Sequence, residues 1–360
     1  MKKIRDQIDK IDSQINKLLD ERTSFVKEIG KIKEKDNTPI FMPGREKEIL
    51  ERIFKESSLR DDSLPENAKT KIFNEIFSVS RNLQRKLKIC YLGPEATFTH
   101  LAAYKQFSDG CEYIPVSNIA NVFRSVEKGK ADFGVVPVEN STEGIVSHTL
   151  DVFLNSECKI NAELLMNIHH NLLTNESSVK TIETVYSHPQ ALAQCSIWLE
   201  ENLPKAKYIE VSSTAEAAKM ADSQPRAAAI ASRMASSIYG LSIIDENIED
   251  IFNNTTRFFV IGNHDSTPSS DDKTTIMFSI KDRIGALHDM LVPFHANSIN
   301  LTKIESRPAK TKAWEYVFFV DFSGHYENDK VRNALEELKK NCIFFKVLGS
   351  YPRAVANNNV

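Results

Sequence analysis

A positively charged residue interrupts an otherwise apolar repeat near the start of the chain. Apolar side chains recur at alternating steps of four and three residues, at Ile4, Ile8, Ile11, Ile15, Leu18, Phe25, Ile29 and Ile32. This heptad spacing predicts a helix with one buried seam. The repeat position between Leu18 and Phe25 is occupied by Arg22 instead of an apolar residue. Three roles are open for its guanidinium: setting the register of the helices, extending into water, or binding an anion.

Polar groups recur on the core faces of all three helices predicted for residues 1–86. Lys33 lies three turns beyond Arg22, on nearly the same side of the first helix. In the second helix the apolar stripe leads back to Glu46, and in the third it continues into Ser80 and Gln84. Burying an unpaired cation costs several kcal/mol, and one glutamate cannot neutralise several cations. These faces therefore predict a pocket for a small molecule with more than one negative charge.

Four polar clusters of the central segment fall at predicted strand ends or turns, where open α/β sheets bind ligands. They are GPEATFTH (93–100), PVENSTEG (137–144), YSHPQALAQC (186–195) and NNTTRF (253–258). Turn formation and helix capping are the alternative explanation, since Asn, Ser, Thr and Gly serve both. His169 and His170 are interpreted as part of a strand, and no metal site is expected, because Cys or His partners at supporting spacings are missing.

Three kinds of pattern divide the chain. Residues 1–86 are predicted to form three helices; the first is ~50 Å long, and two shorter helices cannot cover its seam, so a dimer of long helices is expected. Residues 87–263 alternate strands with helices, which predicts an α/β domain with largely parallel sheets, divided into two lobes near AELLMNIHHNLLT. After a polar linker, residues 273–351 follow the order βαββαβ of a ferredoxin-like α+β domain.

Charge and cysteine content limit the partners and the compartment. A net charge of −3 gives no reason to expect a polyanion, and the first helix is too long for a DNA-reading helix, so no nucleic acid is expected. The five cysteines are scattered without a CxxC pair, which favours reduced thiols in the cytoplasm. No apolar run approaches the ~18 residues of a membrane span, so no membrane association is expected.

The polar positions of residues 1–86 resemble those of the all-helical, AroQ-type chorismate mutases. The resemblance implies an intertwined dimer that rearranges chorismate, a dicarboxylate, to prephenate in a pericyclic reaction without nucleophile, proton, metal or other cofactor. It implies four substrate-binding residues, one of them (Arg5) supplied by the partner subunit: Arg5, Arg22, Arg45 and Ser80. Lys33 and Gln84 would donate hydrogen bonds to the breaking ether oxygen, and Glu46 would hold the ring hydroxyl.

The clusters of the central segment resemble those of prephenate dehydratase over about residues 88–262, through the ENS turn and the TRF sequence. The family has two lobes like those of periplasmic binding proteins, and it removes CO2 and hydroxide from prephenate to give phenylpyruvate. The resemblance implies that Thr256 acts at the leaving hydroxyl. Asn140, Ser187 and Gln194 would position the substrate, and Arg257 would pair with a carboxylate.

The last segment resembles the ACT domain, an amino-acid-binding module, through GALHDML and ESRPAK. The implied ligand is phenylalanine, acting as an allosteric inhibitor through coupling between sites. The implied effector-binding residues are Gly285, Ala286, Leu287, Glu305, Ser306, Arg307 and Pro308. A purely structural dimerisation domain is the alternative.

The sequence departs from the three family patterns at single positions. Met42 replaces an acid of many mutases, Ala96 replaces a glycine of the dehydratase turn, and His288 stands where an apolar residue is usual. The proton relay to Thr256 stays open at this stage, with Glu139 and His188 as candidates.

Together these observations predict a multidomain, bifunctional enzyme of phenylalanine biosynthesis, forming a dimer or a higher homo-oligomer. A ligand-responsive regulator is a second interpretation, disfavoured because the distinctive cations of the first helix lie inside its seam. A third is that one catalytic domain is inactive, although competent residues occupy every key position.

Overall fold

The computed structural model describes residues 1–57, 64–281, 283–308 and 316–354. It begins with the three predicted helices, α1 (Lys2–Lys35), α2 (Pro43–Ser57) and α3 (Glu66–Gln84). Pro43 stands at the first position of α2, where the missing N–H of proline has no helical partner to lose. Within the described ranges, no helix is long and apolar enough to cross a membrane.

Helix α1 carries two faces that meet near Arg22. One face packs against α3 of the same chain; Val26 is buried there, and Arg22, Gly30 and Lys33 are partly buried. The eight apolar residues of the seam lie on the other face and are between 48% and 63% exposed. The helices of the same chain therefore leave the seam uncovered, as its length led us to expect.

The central segment forms two lobes, each built on one sheet. The strands of the first lobe follow the order β2-β1-β3-β11-β5, with β4 beside β3. Their bounds are β1 (Lys88–Leu92), β2 (Glu112–Val116), β3 (Phe133–Asn140), β4 (Gly144–Ile145), β5 (Lys159–Asn167) and β11 (Thr255–Gly262). The second lobe has the order β10-β6-β9-β7-β8. Its strands are β6 (Asn171–Thr174), β7 (Thr184–Ser187), β8 (Lys207–Glu210), β9 (Ala227–Ala231) and β10 (Ser242–Asp245).

The prediction of largely parallel sheets is wrong. Strand β11 runs antiparallel to both β3 and β5, and β6 runs antiparallel to both β9 and β10. The chain crosses between the lobes twice, from β5 into β6 and from β10 into β11. The four strands at these crossings pair antiparallel to their neighbours, which makes each sheet mixed.

Helices cover both sheets of the central segment. Those of the first lobe are α4 (Phe98–Phe107), α5 (Ile119–Glu127) and α6 (Ser147–Phe153). Those of the second lobe are α7 (Pro189–Gln194), α8 (Ser196–Asn202), α9 (Thr214–Ser223) and α10 (Arg233–Tyr239). A short 3-10 turn, Val179–Thr181, precedes β7.

The last segment has the predicted order βαββαβ. Its elements are β12 (Asp272–Ser279), α11 (Ala286–Ala296), β13 (Leu301–Pro308), β14 (Tyr316–Ser323), α12 (Asp329–Lys340) and β15 (Phe344–Pro352). All pairs in the sheet β13-β14-β12-β15 are antiparallel. This is the ferredoxin-like arrangement, and both helices pack against a core that includes Phe278, Met290 and Leu338.

Two of the contacts between the helical segment and the rest of the chain show how closely they pack. Phe41, between α1 and α2, is buried against Phe107 and Phe133 of the first lobe, with ring centroids 5.0 and 5.3 Å away. Gly44 of α2 approaches the linker so closely that a Cβ there would lie 2.7 Å from the carbonyl oxygen of Thr267. The helices therefore pack directly against the rest of the chain and are not joined to it by the covalent connection alone.

Candidate active sites

The three helices enclose a cavity of about 690 Å³ that contains most of the polar residues singled out in the sequence. Six of the seven predicted positions line it: Arg22, Lys33, Arg45, Glu46, Ser80 and Gln84. Arg52 and Arg81 add two further cations, and Glu56 adds one further carboxylate. Five cations against two carboxylates make the cavity suitable for an anion with more than one charge.

Arg22 is held at the cavity wall by α3. Its Nη1 donates to Ser80 Oγ, and the Ser80 hydroxyl donates to the carbonyl oxygen of Ile76 at 2.5 Å. Burial lowers the pKa of Arg22 from its usual value, but a guanidinium stays charged at any pH where the protein is folded. Arg22 is therefore neither neutralised nor free to reach open solvent.

Lys33 and Glu46 face each other across the cavity. Lys33 Nζ donates to the carbonyl oxygen of Ile40 at 3.0 Å, and its pKa is lowered by burial and partly restored by Glu46. Burial raises the pKa of Glu46, whereas Arg81 and, more weakly, Lys33 oppose that rise. Arg81 Nη1 forms an ion pair with Glu46 Oε1.

Gln84 presents an amide to the cavity from the end of α3. Its Nε2 donates to the carbonyl oxygen of Ser80 at 3.2 Å, and its buried Oε1 lacks a hydrogen-bond partner among the described residues. Gly30 makes this position possible, since a Cβ there would lie 3.0 Å from Gln84 Cγ. Such an unsatisfied buried amide is uncommon and is typical of a ligand site.

The structure does not bring Arg5 to this cavity. Arg5 lies on α1, ~25 Å along the helix axis from Arg22, and it is exposed. Sequence reasoning missed Arg81, which pairs with Glu46 and is only 4% exposed. Arg81 gave no signal because it lies outside the apolar stripe of its own helix, and its partner comes from α2.

A second cavity, of about 340 Å³, lies between the two lobes of the central segment. Asn140 and Thr256 line it from the first lobe, and His188, Gln194 and Ser213 line it from the second. Asn140 Nδ2 donates to Thr256 Oγ1 at 2.8 Å and lies 2.7 Å from Asn254 Oδ1. Because Thr256 Oγ1 accepts this bond, its own proton points elsewhere and is available to a ligand.

An amide and imidazole chain extends this network into the second lobe. Gln194 Oε1 accepts from Asn254 Nδ2 at 3.1 Å and lies 2.9 Å from His170 Nε2. Burial lowers the pKa of His170 from its usual value, and its contact with Gln194 holds that amide in the cavity wall. The assignment of His169 and His170 to a strand is wrong, since both lie between β5 and β6. Sequence reasoning did not single out Asn254, although Asn254 precedes Thr256 by two residues and so shares its side of the chain.

Ser187 and Glu139, which were both predicted for this site, lie outside it. Ser187 is fully buried and donates its hydroxyl to the carbonyl oxygen of Ile230 at 2.7 Å, so it joins β7 to β9. Glu139 forms an ion pair with Lys303 of β13 and does not line the cavity, unlike His188. Of the two relay candidates, only His188 is thus placed at the cavity.

Arg257 points away from the cavity, which corrects the expectation that it pairs with a substrate carboxylate. Successive side chains of a strand face opposite sides of the sheet, so Thr256 and Arg257 cannot both face the same pocket. The guanidinium pairs with Glu163 of β5 at 2.6 Å and with Asp321 of β14 at 2.5 Å. Its Nη2 also lies 3.0 Å from Tyr351 Oη. Arg257 therefore joins β11 to the last domain.

The predicted effector segments lie at one end of the last sheet. Strand β14 separates β12 from β13, and its Val317 is opposite both Ser279 of β12 and Arg307 of β13. Ser279 and Arg307 are therefore two strand spacings, ~10 Å, apart, and the GAL segment follows β12 at the same sheet end as the ESRP segment of β13. Gly285 precedes α11 with φ +78°, a conformation that favours glycine.

The remaining members of these segments differ in exposure. Leu287 is 43% exposed, whereas Arg307 is partly buried and pairs with Asp151 of α6 at 3.2 Å. Ala286 is buried. Glu305 is partly buried, and Ser306 and Pro308 are exposed. Within a single chain, this ion pair with α6 holds the Arg307 side chain against the central segment.

Within the described ranges, no group of three or more His, Cys, Asp or Glu side chains could hold a metal ion. His169, which precedes His170 in the chain, forms a pair with Glu249 at 2.7 Å. The fold and the two cavities define a multidomain enzyme that binds small anions, with one cationic site among helices and one hydroxyl and amide site between lobes.

Comparison with known proteins identifies the family. The sequence models of chorismate mutase type II, prephenate dehydratase and the ACT domain match residues 4–85, 89–266 and 274–340 in turn. The bifunctional chorismate mutase/prephenate dehydratase of Aquifex aeolicus is 49% identical over 356 residues, which cover 99% of this chain and 98% of that protein. The Pseudomonas aeruginosa protein of the same description is 43% identical over 361 residues, with the same coverage.

A solved structure agrees with these sequence matches. The prephenate dehydratase from Arthrobacter aurescens in complex with L-Phe is 34% identical, with a TM-score of 0.68 over 74% of this chain and 90% of that chain. The chain belongs to the bifunctional chorismate mutase/prephenate dehydratases. It rearranges chorismate to prephenate and converts prephenate to phenylpyruvate, so the prediction of a bifunctional enzyme is confirmed.

Proposed function

We propose that the helical cavity is the mutase site and that its residues act as the resemblance implies. Arg22, with Arg45 and Ser80, binds the carboxylates of chorismate, while Glu46 accepts a hydrogen bond from the ring hydroxyl. Lys33 and Gln84 donate to the ether oxygen, on which negative charge grows as its bond to carbon breaks. The observation that carries this assignment is the convergence of these groups on one cavity.

The second carboxylate contact comes from a partner subunit. The uncovered seam runs from Ile4 to Ile32, and its midpoint is Leu18. Two α1 helices that cross antiparallel at this midpoint cover each other's seams. Position 5 of one helix then faces position 31 of the other, within one turn of Lys33. Arg5 of the partner subunit thereby reaches a cavity that it cannot reach within its own chain.

The cavity between the lobes is the dehydratase site. Decarboxylation sends electrons into the ring, the hydroxyl leaves, and aromatisation drives the reaction; the hydroxyl needs a proton to leave as water. Thr256 donates its free hydroxyl hydrogen to the leaving group, because Asn140 occupies its oxygen. Gln194 positions the substrate, and His188, which lines the same cavity, is our candidate for the group that returns the proton to Thr256.

The last domain binds phenylalanine at the sheet end that holds the GAL and ESRP segments, and this binding inhibits the enzyme. The support is the matched ACT domain and the relative solved with L-Phe. We place the domains at residues 1–86, 87–263 and 273–351. The five cysteines are free thiols, which suits a cytoplasmic enzyme without a nucleic acid partner.

The purified protein tests these assignments when it is supplied with chorismate while chorismate, prephenate and phenylpyruvate are followed together. We expect phenylpyruvate to form, and to form more slowly when phenylalanine is added. An Asp289→Ala variant, changed near the effector segment on α11, is a control for altered folding. Phenylalanine that leaves both rates unchanged would contradict the effector assignment and favour a structural role for this domain.

A further inference from the structure

Glu46 is paired with Arg81, a residue to which the proposed mutase mechanism assigns no contact with the substrate. It is the nearest carboxylate to Lys33 in the mutase cavity, and Met42, which also lines the cavity, offers no second acid. Glu46 accepts from Arg81 Nη1, so one of its oxygens is held by α3. The other oxygen is available to a hydroxyl of the ligand.

Arg81 is enclosed by parts of two domains. Its guanidinium carbon lies 5.4 Å from the ring centroid of Phe41 and 5.9 Å from that of Phe107. Its Nη2 lies 3.4 Å from the carbonyl oxygen of Gln106. Phe107 and Gln106 belong to α4 of the dehydratase domain. This enclosure excludes water from the Arg81 end of the ion pair, while Glu46 lines the cavity, and charges attract more strongly where water is excluded.

The charged groups around Glu46 come from all three helices. Arg81 faces it from α3, and Lys33 and Arg22 line the same cavity from α1. The groups that line it from α2 are Arg45, Arg52 and Glu56. Among them, Lys33 is the one that attracts Glu46 besides Arg81. Without Arg81, Glu46 would take up a proton more readily or turn to Lys33. A protonated Glu46 is lost as the charged acceptor for the ring hydroxyl. A Lys33 that pairs with Glu46 is lost as the donor to the ether oxygen.

We propose that Arg81 is a positioning residue of the mutase site, through which the dehydratase domain holds Glu46 charged and leaves Lys33 free for the ether oxygen. This inference rests on the proposed function of the helical cavity. Arg81 acts through Glu46 and does not itself contact the reacting atoms. The mutase site is consequently completed by residues of the dehydratase domain, Phe107 and Gln106.

The test measures kcat/KM for chorismate across pH in the full-length protein and in Arg81→Met and Arg81→Lys variants. Arg85→Met is the matched control, since Arg85 follows on the same helix end and pairs with Asp132 instead. Prephenate turnover by each variant reports whether the chain is folded. We expect Arg81→Met to lower mutase kcat/KM on the order of a hundredfold at neutral pH and to move the acid limb to higher pH. Arg81→Lys should keep the acid limb close to that of the parent protein.

A double variant separates positioning from general damage. Because Arg81 acts through Glu46, adding Arg81→Met to Glu46→Gln should slow the mutase little further. If Arg81→Met lowers mutase kcat/KM by the same factor at every pH and leaves the acid limb unmoved, the proposal is overturned. A double variant whose loss is the product of the two single losses would overturn it as well. If Arg81→Met also loses prephenate turnover, the pH profile of mutase kcat/KM in Arg81→Lys tests the proposal instead. A parent protein that consumes no chorismate, or a Glu46→Gln variant with full mutase activity, would instead contradict the proposed function itself.

Discussion

The sharing of the mutase site between subunits can be tested with a heterodimer that carries Arg5→Ala in one subunit and Arg22→Ala in the other. Each site needs Arg22 of its own chain and Arg5 of the partner subunit. In this heterodimer one site keeps both arginines, and the other site loses both. The distance of ~25 Å between these positions along α1 prevents Arg5 from serving its own chain.

The expected magnitude follows from counting intact sites. Removing one arginine from a carboxylate leaves a buried charge unpaired, at about 3 kcal/mol or more, which is on the order of a hundredfold in rate. Each homodimer, with Arg5→Ala or Arg22→Ala in both subunits, should therefore retain about 1% of the mutase activity. The heterodimer, with one intact site of two, should retain about half.

The assay uses two affinity tags, so that only heterodimers are purified after co-expression. Chorismate consumption gives the mutase rate, and prephenate consumption confirms an equal amount of folded enzyme in each preparation. A heterodimer of two differently tagged parent chains sets the full rate. If both homodimers are slow and the mixed heterodimer is equally slow, Arg5 acts within its own chain, and the antiparallel pairing of α1 is refuted. An Arg5→Ala homodimer with full mutase activity would mean that Arg5 does not act at the site at all.

Three further changes have separable effects. Asn140→Ala removes the donor to Thr256 and should lower prephenate turnover on the order of a hundredfold while leaving chorismate consumption unchanged. Gly44→Ala puts a Cβ within 2.7 Å of the Thr267 carbonyl oxygen, so it should displace the start of α2 and raise the mutase KM, measured against an unchanged prephenate KM. Arg257→Met leaves two buried carboxylates short of a partner and should destabilise the protein by about 3–5 kcal/mol, measured by chemical denaturation.

Each of these changes has an outcome that contradicts its reasoning. An Asn140→Ala variant with normal prephenate turnover would remove Asn140 from the dehydratase site. An unchanged mutase KM in Gly44→Ala would mean that α2 and the linker adjust without moving the cavity. Arg233→Met, a loss of an exposed ion pair, should cost less than about 1 kcal/mol. If Arg257→Met costs no more than this control, the buried network does not stabilise the domain contact.

The sequence predicted which residues line the helical cavity, Arg5 and Arg81 excepted, because its signal is periodic. The polar residues of α1, α2 and α3 interrupt apolar stripes, and helical spacing fixes which side chains share a face. It could not predict Arg81, whose surroundings come from Phe41 and from α4, far apart in the chain. Contacts of that kind depend on how domains pack, and no local pattern encodes them.

Strand alternation was the neglected signal in the central segment. Thr256 and Arg257 are adjacent in a strand, so placing both in one pocket contradicted the two-residue period. Ser187 was similarly assigned from its position in a motif, although a hydroxyl at a buried strand end has a backbone acceptor close by. Strand direction in the two lobes was not readable at all, because antiparallel and parallel buried strands carry similar apolar runs.

Two single-site variants, Arg22→Ala and Thr256→Ala, test the claim that one chain carries two separate active sites. Each purified variant is supplied with chorismate alone, and then the two variants are mixed. We predict that Arg22→Ala consumes chorismate at only about 1% of the parent rate, that Thr256→Ala accumulates prephenate, and that only the mixture forms phenylpyruvate at a rate close to that of the parent protein. Loss of prephenate turnover in folded Arg22→Ala, or a mixture that forms no phenylpyruvate, would contradict the account.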